Sequence, residues 1–149
     1  MKENNIREIM AKDYHDIYLL NQDFNSNLNV FSEERVKGKI EIIIKNTNDI
    51  IFVYEQKNQV IGYIHGSPYE LLFSDSLVNV LGLVVKDSYR NLGIGSMLID
   101  RLEQWGKVNG FSGMKLLSHP SRIHAHRFYE RHGYIYTKDQ KNFIKTFED

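Results

Sequence analysis

Between an apolar segment and an amphipathic helical pattern lies a glycine turn, residues 90–95, which reads Arg-Asn-Leu-Gly-Ile-Gly. Two glycines on either side of one residue allow the backbone to turn tightly and to approach a ligand closely. The first N–H groups of a helix point back at the turn that precedes it. We therefore expect the turn to bind a doubly charged phosphate group, with Arg90 as a further positive charge.

Two common phosphate-binding motifs are excluded at this turn. A dinucleotide-binding fingerprint needs a third glycine, and Leu98 occupies that position. A P-loop needs a lysine directly after its last glycine, and Ser96 follows Gly95. The pattern that remains is Arg-x-x-Gly-x-Gly.

Composition limits the remaining possibilities. The 149 residues are 42% hydrophobic and 26% charged, which is typical of one globular domain, so we expect a single domain over residues 1–149. Basic and acidic residues number 19 each, and this balance argues against nucleic acid or an anionic membrane as partner.

The absence of cysteine excludes disulfides, a thiol nucleophile and thiolate metal sites. The first residues carry no apolar leader and no run is long enough for a membrane span, so we expect a cytoplasmic protein. His124 and His126 diverge on a helix and cannot clasp one metal ion, and no metal site is expected.

Hydrophobic periodicity predicts the element order β-α-α-β-β-β-α-β-α-β-β. Predicted strands cover residues 6–10, 50–55, 60–66, 77–86, 114–118, 134–137 and 142–147. Predicted helices begin after the N-caps Asp13 and Ser32, follow the glycine turn as far as Gly110, and run over residues 120–133. Residues 21–29 are predicted to be a loop, and Pro68 is predicted to end its strand.

The helix after the glycine turn is the clearest in the chain. Its apolar stripe is expected to contain Ile94, Met97, Leu98, Leu102, Trp105 and Val108. With the strands on either side it should form a right-handed parallel crossover, whereas the earlier hairpins pair antiparallel. We expect a mixed α/β sheet whose parallel strands splay at one end and admit a ligand.

Arg90 to Gly95 resembles the acetyl-CoA pyrophosphate loop of the GNAT N-acetyltransferases. Residues 122–134 resemble a later signature of that family, Arg-x-x-Ala-His-x-Phe-Tyr-Glu-x-x-Gly-Phe, with Tyr134 in place of the final phenylalanine. The resemblance implies a GNAT-like, mostly antiparallel mixed sheet with a central parallel splayed strand pair and helices on both faces.

The same resemblance implies acetyl-CoA as cosubstrate. Main-chain groups of Leu83, Val84 and Val85 would pair with the pantetheine arm as if it were a short added strand. The pyrophosphate would be bound by Arg90, Asn91, Leu92, Gly93, Ile94, Gly95 and Ser96. Arg122 stands where many relatives have an asparagine that touches the cofactor, and it is either a phosphate ligand or a surface residue.

The implied reaction is direct transfer of acetyl from the thioester to a primary amine. The resemblance makes Tyr129 the general acid that protonates the departing thiolate, since a phenol with a reference pKa of about 10 keeps its proton at neutral pH. Helical spacing alone favours a different interpretation, in which Tyr129 is a core residue that packs with Phe128. A main-chain N–H near Val84 is the expected donor to the carbonyl oxygen.

The general base is unresolved. Many relatives carry a glutamate on the strand before the loop, but the matching position here is Leu81. The candidates are Glu70, Asp75, His65 and His119, and histidine suits the task because it titrates near neutral pH. A water chain, or an acceptor amine that loses its proton easily, could replace a dedicated base.

Three functions fit the sequence. The short, neutral chain favours a small-molecule amine as acceptor; the alternatives are a protein N-terminus or lysine, or a CoA-binding module without catalysis. The aromatic residues Tyr14, Tyr18, Phe24 and Phe31 either line the acceptor pocket or are ordinary packing residues. Residues 142–147 offer an edge that could pair across a homodimer.

Overall fold

The computed structural model describes residues 5–24 and 31–147. The strands are β1 (Ile6–Glu8), β2 (Ile50–Gln56), β3 (Gln59–Tyr69), β4 (Leu77–Val85) and β5 (Gly113–Leu116). The helices are α1 (Tyr14–Phe24), α2 (Glu33–Asn46), α3 (Ile94–Val108) and α4 (Ile123–Arg131). The chain divides into two compact units, Met1–Leu117 and Ser118–Asp149, and the expectation of one domain over residues 1–149 stays a prediction.

All five strands lie in one sheet of the first unit, in the order β1-β2-β3-β4-β5. Neighbours from β1 to β4 pair antiparallel, and β4 pairs parallel with β5 through the α3 crossover. This confirms the predicted mixed, mostly antiparallel sheet with one parallel pair.

Helices cover both faces of the sheet. On one face, the aliphatic side chains of α1 and α2 pack on those of β2, β3 and β4, in a cluster formed by Ile17, Leu20, Val36, Ile40, Ile51, Val53, Val60 and Val84. On the other face α3 lies close to β3, because Gly62 and Gly66 have no side chain. A Cβ at Gly66 would lie 2.7 Å from Leu102 Cδ1, and one at Gly62 would lie 3.4 Å from Ile94 Cγ2.

The helix predictions hold with specific exceptions. Ser32 caps α2, accepting from the Arg35 N–H at 3.2 Å. Asp13 does not cap α1: it lies in a 3-10 turn, Ala11–Asp13, where its carboxylate accepts two hydrogen bonds from Arg7 at 2.9 Å. Val108 is 85% exposed instead of lying in the apolar stripe of α3, whose buried residues end at Gly106.

Two predicted breaks are wrong. Residues 21–24 are helical, since α1 continues to Phe24, and the rest of the predicted loop lies outside the described residues. Pro68 lies within β3, which continues to Tyr69. Because β2 ends opposite Gly66, Pro68 has a strand neighbour on one side only, and its missing N–H is tolerated there.

The second unit contains α4 but not the predicted C-terminal hairpin. Residues 134–147 contain no strand. Ile135, Phe143, Ile144 and Phe147 are more than 80% exposed, so their apolar pattern has no surface to pack on, and an isolated two-stranded hairpin is marginal in water. None of the helices in the described ranges has both the length and the apolar character needed to cross a bilayer.

Candidate active site

The glycine turn adopts the backbone conformation that its sequence requires. Gly93 has φ +85° and Asn91 has φ 63°, both in the left-handed region. The first helical bond of α3 runs from the Met97 N–H to the Gly93 carbonyl at 3.0 Å, so the N–H groups of the first turn point toward the loop. The N-cap residue of α3, Gly93, has no side chain that could cap the helix, and its first turn contains no acidic residue, whereas α2 has both features. The start of α3 therefore suits an external anion.

Arg90 is the first residue of this turn. Its Nη1 is 2.8 Å from Asp87 Oδ1, and its Nε is 3.4 Å from the Val85 carbonyl oxygen. Both partners in the ion pair are at least half exposed, and such pairs contribute little to stability. A phosphate group can therefore replace Asp87 as the partner of Arg90 at small cost.

A β-bulge interrupts β4 next to the turn. His65 pairs with Gly82 and Gly66 pairs with Val80, which leaves Leu81 as the extra residue. The parallel pairing with β5 ends at Val80, opposite Leu116. Among the described residues of the first unit, residues 82–85 of β4 therefore have a strand neighbour only on the β3 side.

Strand alternation decides which main-chain groups face the open edge. The Lys86 N–H donates to the Ile61 carbonyl at 2.8 Å, and hydrogen-bonded pairs alternate along an antiparallel ladder. Val84 therefore directs its main-chain groups toward β3, and its side chain is buried under α1 and α2. Leu83 and Val85 direct theirs toward the open edge, in agreement with the contact between Arg90 and the Val85 carbonyl.

A polar cluster lies on the α1 and α2 side of the sheet, beside the bulge. His65 Nε2 is 2.8 Å from Asp49 Oδ2, and the Ser67 hydroxyl donates to Asp49 Oδ1 at 2.6 Å. An ionised Asp49 assigns the proton to His65 Nε2 and leaves Nδ1 as an acceptor. His65 is also the register partner of Gly82, so its ring lies on β3 directly opposite the bulged part of β4.

The other base candidates have different surroundings. Glu70 and Asp75 are exposed in the segment between β3 and β4. His119, in the second unit, is exposed, and its Nδ1 lies 2.8 Å from Ser121 Oγ. Of the four candidates, His65 is the one with a hydrogen bond to a carboxylate in the part of the chain that the structure describes.

Sequence reasoning missed Asp49 and Ser67. Neither residue lies in a recognisable motif. Asp49, directly before β2, reaches His65 and Ser67 of β3 only through the pairing of β2 with β3. A polar residue just before a buried strand was the sole signal that the sequence offered for Asp49.

A cavity of about 130 Å³ opens between α1, α2 and the sheet. Its lining is mainly aliphatic, with Phe31, Tyr63 and His65 also at the wall. The Tyr63 hydroxyl donates to Asn21 Oδ1, and burial raises the pKa of Tyr63 to about 12. Of the aromatic residues predicted for an acceptor pocket, Phe31 lines this cavity, Tyr14 and Tyr18 pack against the core, and Phe24 is exposed.

In the second unit, Tyr129 lies on α4 among other aromatic rings. Its ring centroid is 5.4 Å from that of Phe128 and 5.9 Å from that of Tyr134. Burial raises the pKa of Tyr129, and the charge of Arg122, directly before α4, opposes this in part. The phenol is therefore protonated at neutral pH, as a general acid must be.

No group of three His, Asp or Glu side chains in the described ranges is arranged to hold a metal ion.

Comparison with known proteins gives a consistent result. The sequence matches the Acetyltransferase (GNAT) family over residues 8–134. An uncharacterized N-acetyltransferase of Methanocaldococcus jannaschii is 33% identical over 99 residues, which are 66% of this chain and 58% of that protein. The aligned part of the chain thus spans less than two thirds of that relative.

Two solved structures share the fold. An aminoglycoside N-acetyltransferase in complex with CoA is 18% identical, with a TM-score of 0.82 over 94% of this chain and 93% of its own. A putative acetyltransferase from Agrobacterium tumefaciens is 15% identical, with a TM-score of 0.85 over 94% of this chain and 99% of its own. At these identities the likeness is one of fold.

Proposed function

The chain belongs to the GNAT acetyltransferase family, and we propose that it transfers an acetyl group from acetyl-CoA directly to the primary amine of a small molecule. The observation that carries the proposal is the open edge of β4 next to the uncapped start of α3. A pyrophosphate and an amide-bearing arm need these two features side by side. The CoA complex of the aminoglycoside N-acetyltransferase with the same fold supports the choice of cosubstrate.

Different residues of the first unit bind different parts of CoA. The N–H groups at the start of α3, together with Arg90, hold the pyrophosphate. Main-chain groups of Leu83 and Val85 pair with the pantetheine amides, as in the addition of a strand to a sheet edge. The buried side chain of Val84, which lies between Leu83 and Val85, packs under α1 and α2 and anchors this part of β4.

When bound, acetyl-CoA supplies the thioester, and the remaining tasks fall to side chains and main chain. An ammonium has no lone pair, so His65 takes a proton from the acceptor through Nδ1 while Asp49 holds the ring. The Leu83 N–H faces the open edge and donates to the carbonyl oxygen as negative charge grows there. Attack forms the C–N bond and breaks the C–S bond.

We assign the last proton transfer to Tyr129 because of its position in the family signature. The phenol protonates the departing sulfur and recovers a proton from the nitrogen of the new amide. The ammonium thus loses two protons in all, one of which ends on the thiol and one in solvent. Arg122, in the same signature, is assigned to a cofactor phosphate.

A thiol-release assay with the purified chain tests the proposal. Acetyl-CoA is supplied with a panel of small primary amines, and each product is identified by mass spectrometry. We expect acetylated amine and free CoA in equal amounts. Acetylation of peptides alone would indicate a protein acetyltransferase, and CoA binding without turnover on any acceptor would indicate a module without catalysis.

A further inference from the structure

The cavity under α1 and α2 has the size and lining of a site for one compact apolar group. Its volume is about 130 Å³, and its walls include Ile17 of α1, Ile51 of β2, and Val36, Ile40 and Ile43 of α2. An apolar cavity of about 150 Å³ in another protein binds benzene. A branched alkyl group or a single phenyl ring therefore fills this volume.

The cavity adjoins the proposed reaction centre. Tyr63 and His65 both line it, and they are the register partners of Val84 and Gly82 on β4. A Cβ at Gly82 would lie 4.0 Å from Tyr63 Cε1, so the wall of the cavity continues onto the strand beside the bulge. An amine that gives a proton to His65 lies at this wall, with its substituent next to the cavity.

The charges at the cavity favour an acceptor with a single amine. Lys39 is the one residue in the described lining with a permanent charge, and the described residues of that lining include no carboxylate. A second cationic group on the acceptor would find no free carboxylate in this lining, because the neighbouring Asp49 already bonds His65 and Ser67 through its two oxygens. Hydroxyl groups of a sugar would lose their hydrogen bonds to water against the aliphatic walls.

From these observations we infer that the acceptor is a primary monoamine with one compact apolar group, branched alkyl or phenyl, which enters the cavity under α1 and α2. This inference rests on the proposed function and specifies its substrate class. It separates this chain from the aminoglycoside N-acetyltransferase that shares its fold, whose name indicates an aminoglycoside as acceptor.

The first arm of the test compares acceptors at saturating acetyl-CoA. The probes are phenethylamine, 3-methylbutylamine, ethylamine, putrescine and kanamycin. We expect kcat/KM for the first two amines to exceed that for ethylamine at least about tenfold, since each methylene buried in an apolar pocket gains a factor of this order. Putrescine and kanamycin should fall below ethylamine. A preference for either of these two overturns the inference.

The second arm of the test reduces the cavity volume with a larger side chain on α2. Ile43 lines it, whereas the adjacent Ile44 is 48% exposed, so Ile43→Phe and Ile44→Phe form a matched pair. Ile43→Phe should lower the ratio of kcat/KM for phenethylamine to that for ethylamine at least about tenfold, and Ile44→Phe should leave it unchanged. An unchanged ratio in Ile43→Phe, or a change only in the preference for propionyl-CoA over acetyl-CoA, contradicts the inference; the latter would assign the cavity to the acyl chain.

A binding measurement separates this inference from the proposed function. Phenethylamine should raise the melting temperature of the wild-type chain and of Ile44→Phe, but not that of Ile43→Phe. If phenethylamine binds in this pattern and no amine is acetylated, the proposed function fails while the cavity assignment stands. If amines are acetylated and phenethylamine shows no such pattern, the cavity assignment fails alone.

Discussion

Asp49 holds His65 in place on β3: its Oδ2 lies 2.8 Å from His65 Nε2, while its Oδ1 accepts a hydrogen bond from Ser67. Both oxygens of the carboxylate are thus engaged at one face of the sheet, beside the bulge at Leu81. The arrangement fixes the histidine ring and its tautomer. It also places on β3 the base that we propose, which the β4 sequence lacks.

Replacement of Asp49 tests this relationship. We expect Asp49→Asn to lower kcat about tenfold or more, because the amide no longer assigns the proton to His65 Nε2. The KM for acetyl-CoA should stay nearly constant, and Asp49→Glu should recover part of the activity. A parallel fall in unfolding free energy and acetyl-CoA affinity, with no separate loss in kcat, would mean that Asp49 is only structural.

The left-handed glycines at the two ends of α3 provide a controlled comparison. Gly93 and Gly110 both have φ +85°, and a Cβ at either would meet nothing within 4 Å. Alanine in this conformation costs about 1–2 kcal/mol, so both Gly93→Ala and Gly110→Ala should lower the free energy of unfolding by a similar amount. Only Gly93→Ala should also weaken CoA binding, because the strain at residue 93 distorts the glycine turn that we propose as the phosphate site. Equal CoA affinity in both variants would argue against that loop as the binding site.

Because the phenol of Tyr63 is buried, we expect the free energy of unfolding to decrease in alkaline solution. Burial raises its pKa to about 12 in the folded chain, against about 10 when unfolded. Below pH 10 both states keep the proton; above it the unfolded chain releases the proton first, so the free energy of unfolding falls as pH rises. The loss approaches about 2 kcal/mol at pH 12. Urea unfolding of the wild type and Tyr63→Phe at pH 9 and pH 11.5 should show a steeper decline in the wild type, and identical slopes would contradict the assignment.

Tyr129 is the proposed acid, and its removal should affect turnover more than binding. Tyr129→Phe keeps the ring among Phe128 and Tyr134 but removes the proton that the sulfur needs. We expect kcat to fall at least about tenfold while CoA affinity stays nearly intact. Steady-state kinetics and calorimetry measure the two quantities. Turnover equal to that of the wild type would remove Tyr129 from the mechanism.

Local features of the chain were predictable from the sequence. The turn at Gly93, the helix after it and the cap at Ser32 depend on residues close in sequence, so their patterns sufficed. The parallel crossover followed from a general rule of handedness. The same local reasoning failed at Pro68, where the outcome depends on where the neighbouring strand ends.

Features that depend on register between strands were not predictable. The bulge at Leu81 exists only in the pairing of β3 with β4, and Asp49 meets His65 across 16 residues of sequence. Alternating apolar residues near Phe143 indicated strands, but a strand needs a partner surface that this pattern cannot specify.

We propose that the start of α3 and Arg90 bind the pyrophosphate of coenzyme A, and calorimetric titration with CoA measures this binding. We expect the wild-type chain to bind one equivalent. Arg90→Glu should bind at least about tenfold more weakly, because it places a negative charge beside the phosphates. Arg35→Glu, at an exposed position of α2, should bind like the wild type. No heat of binding in the wild type, or equal affinity in Arg90→Glu, would contradict the account.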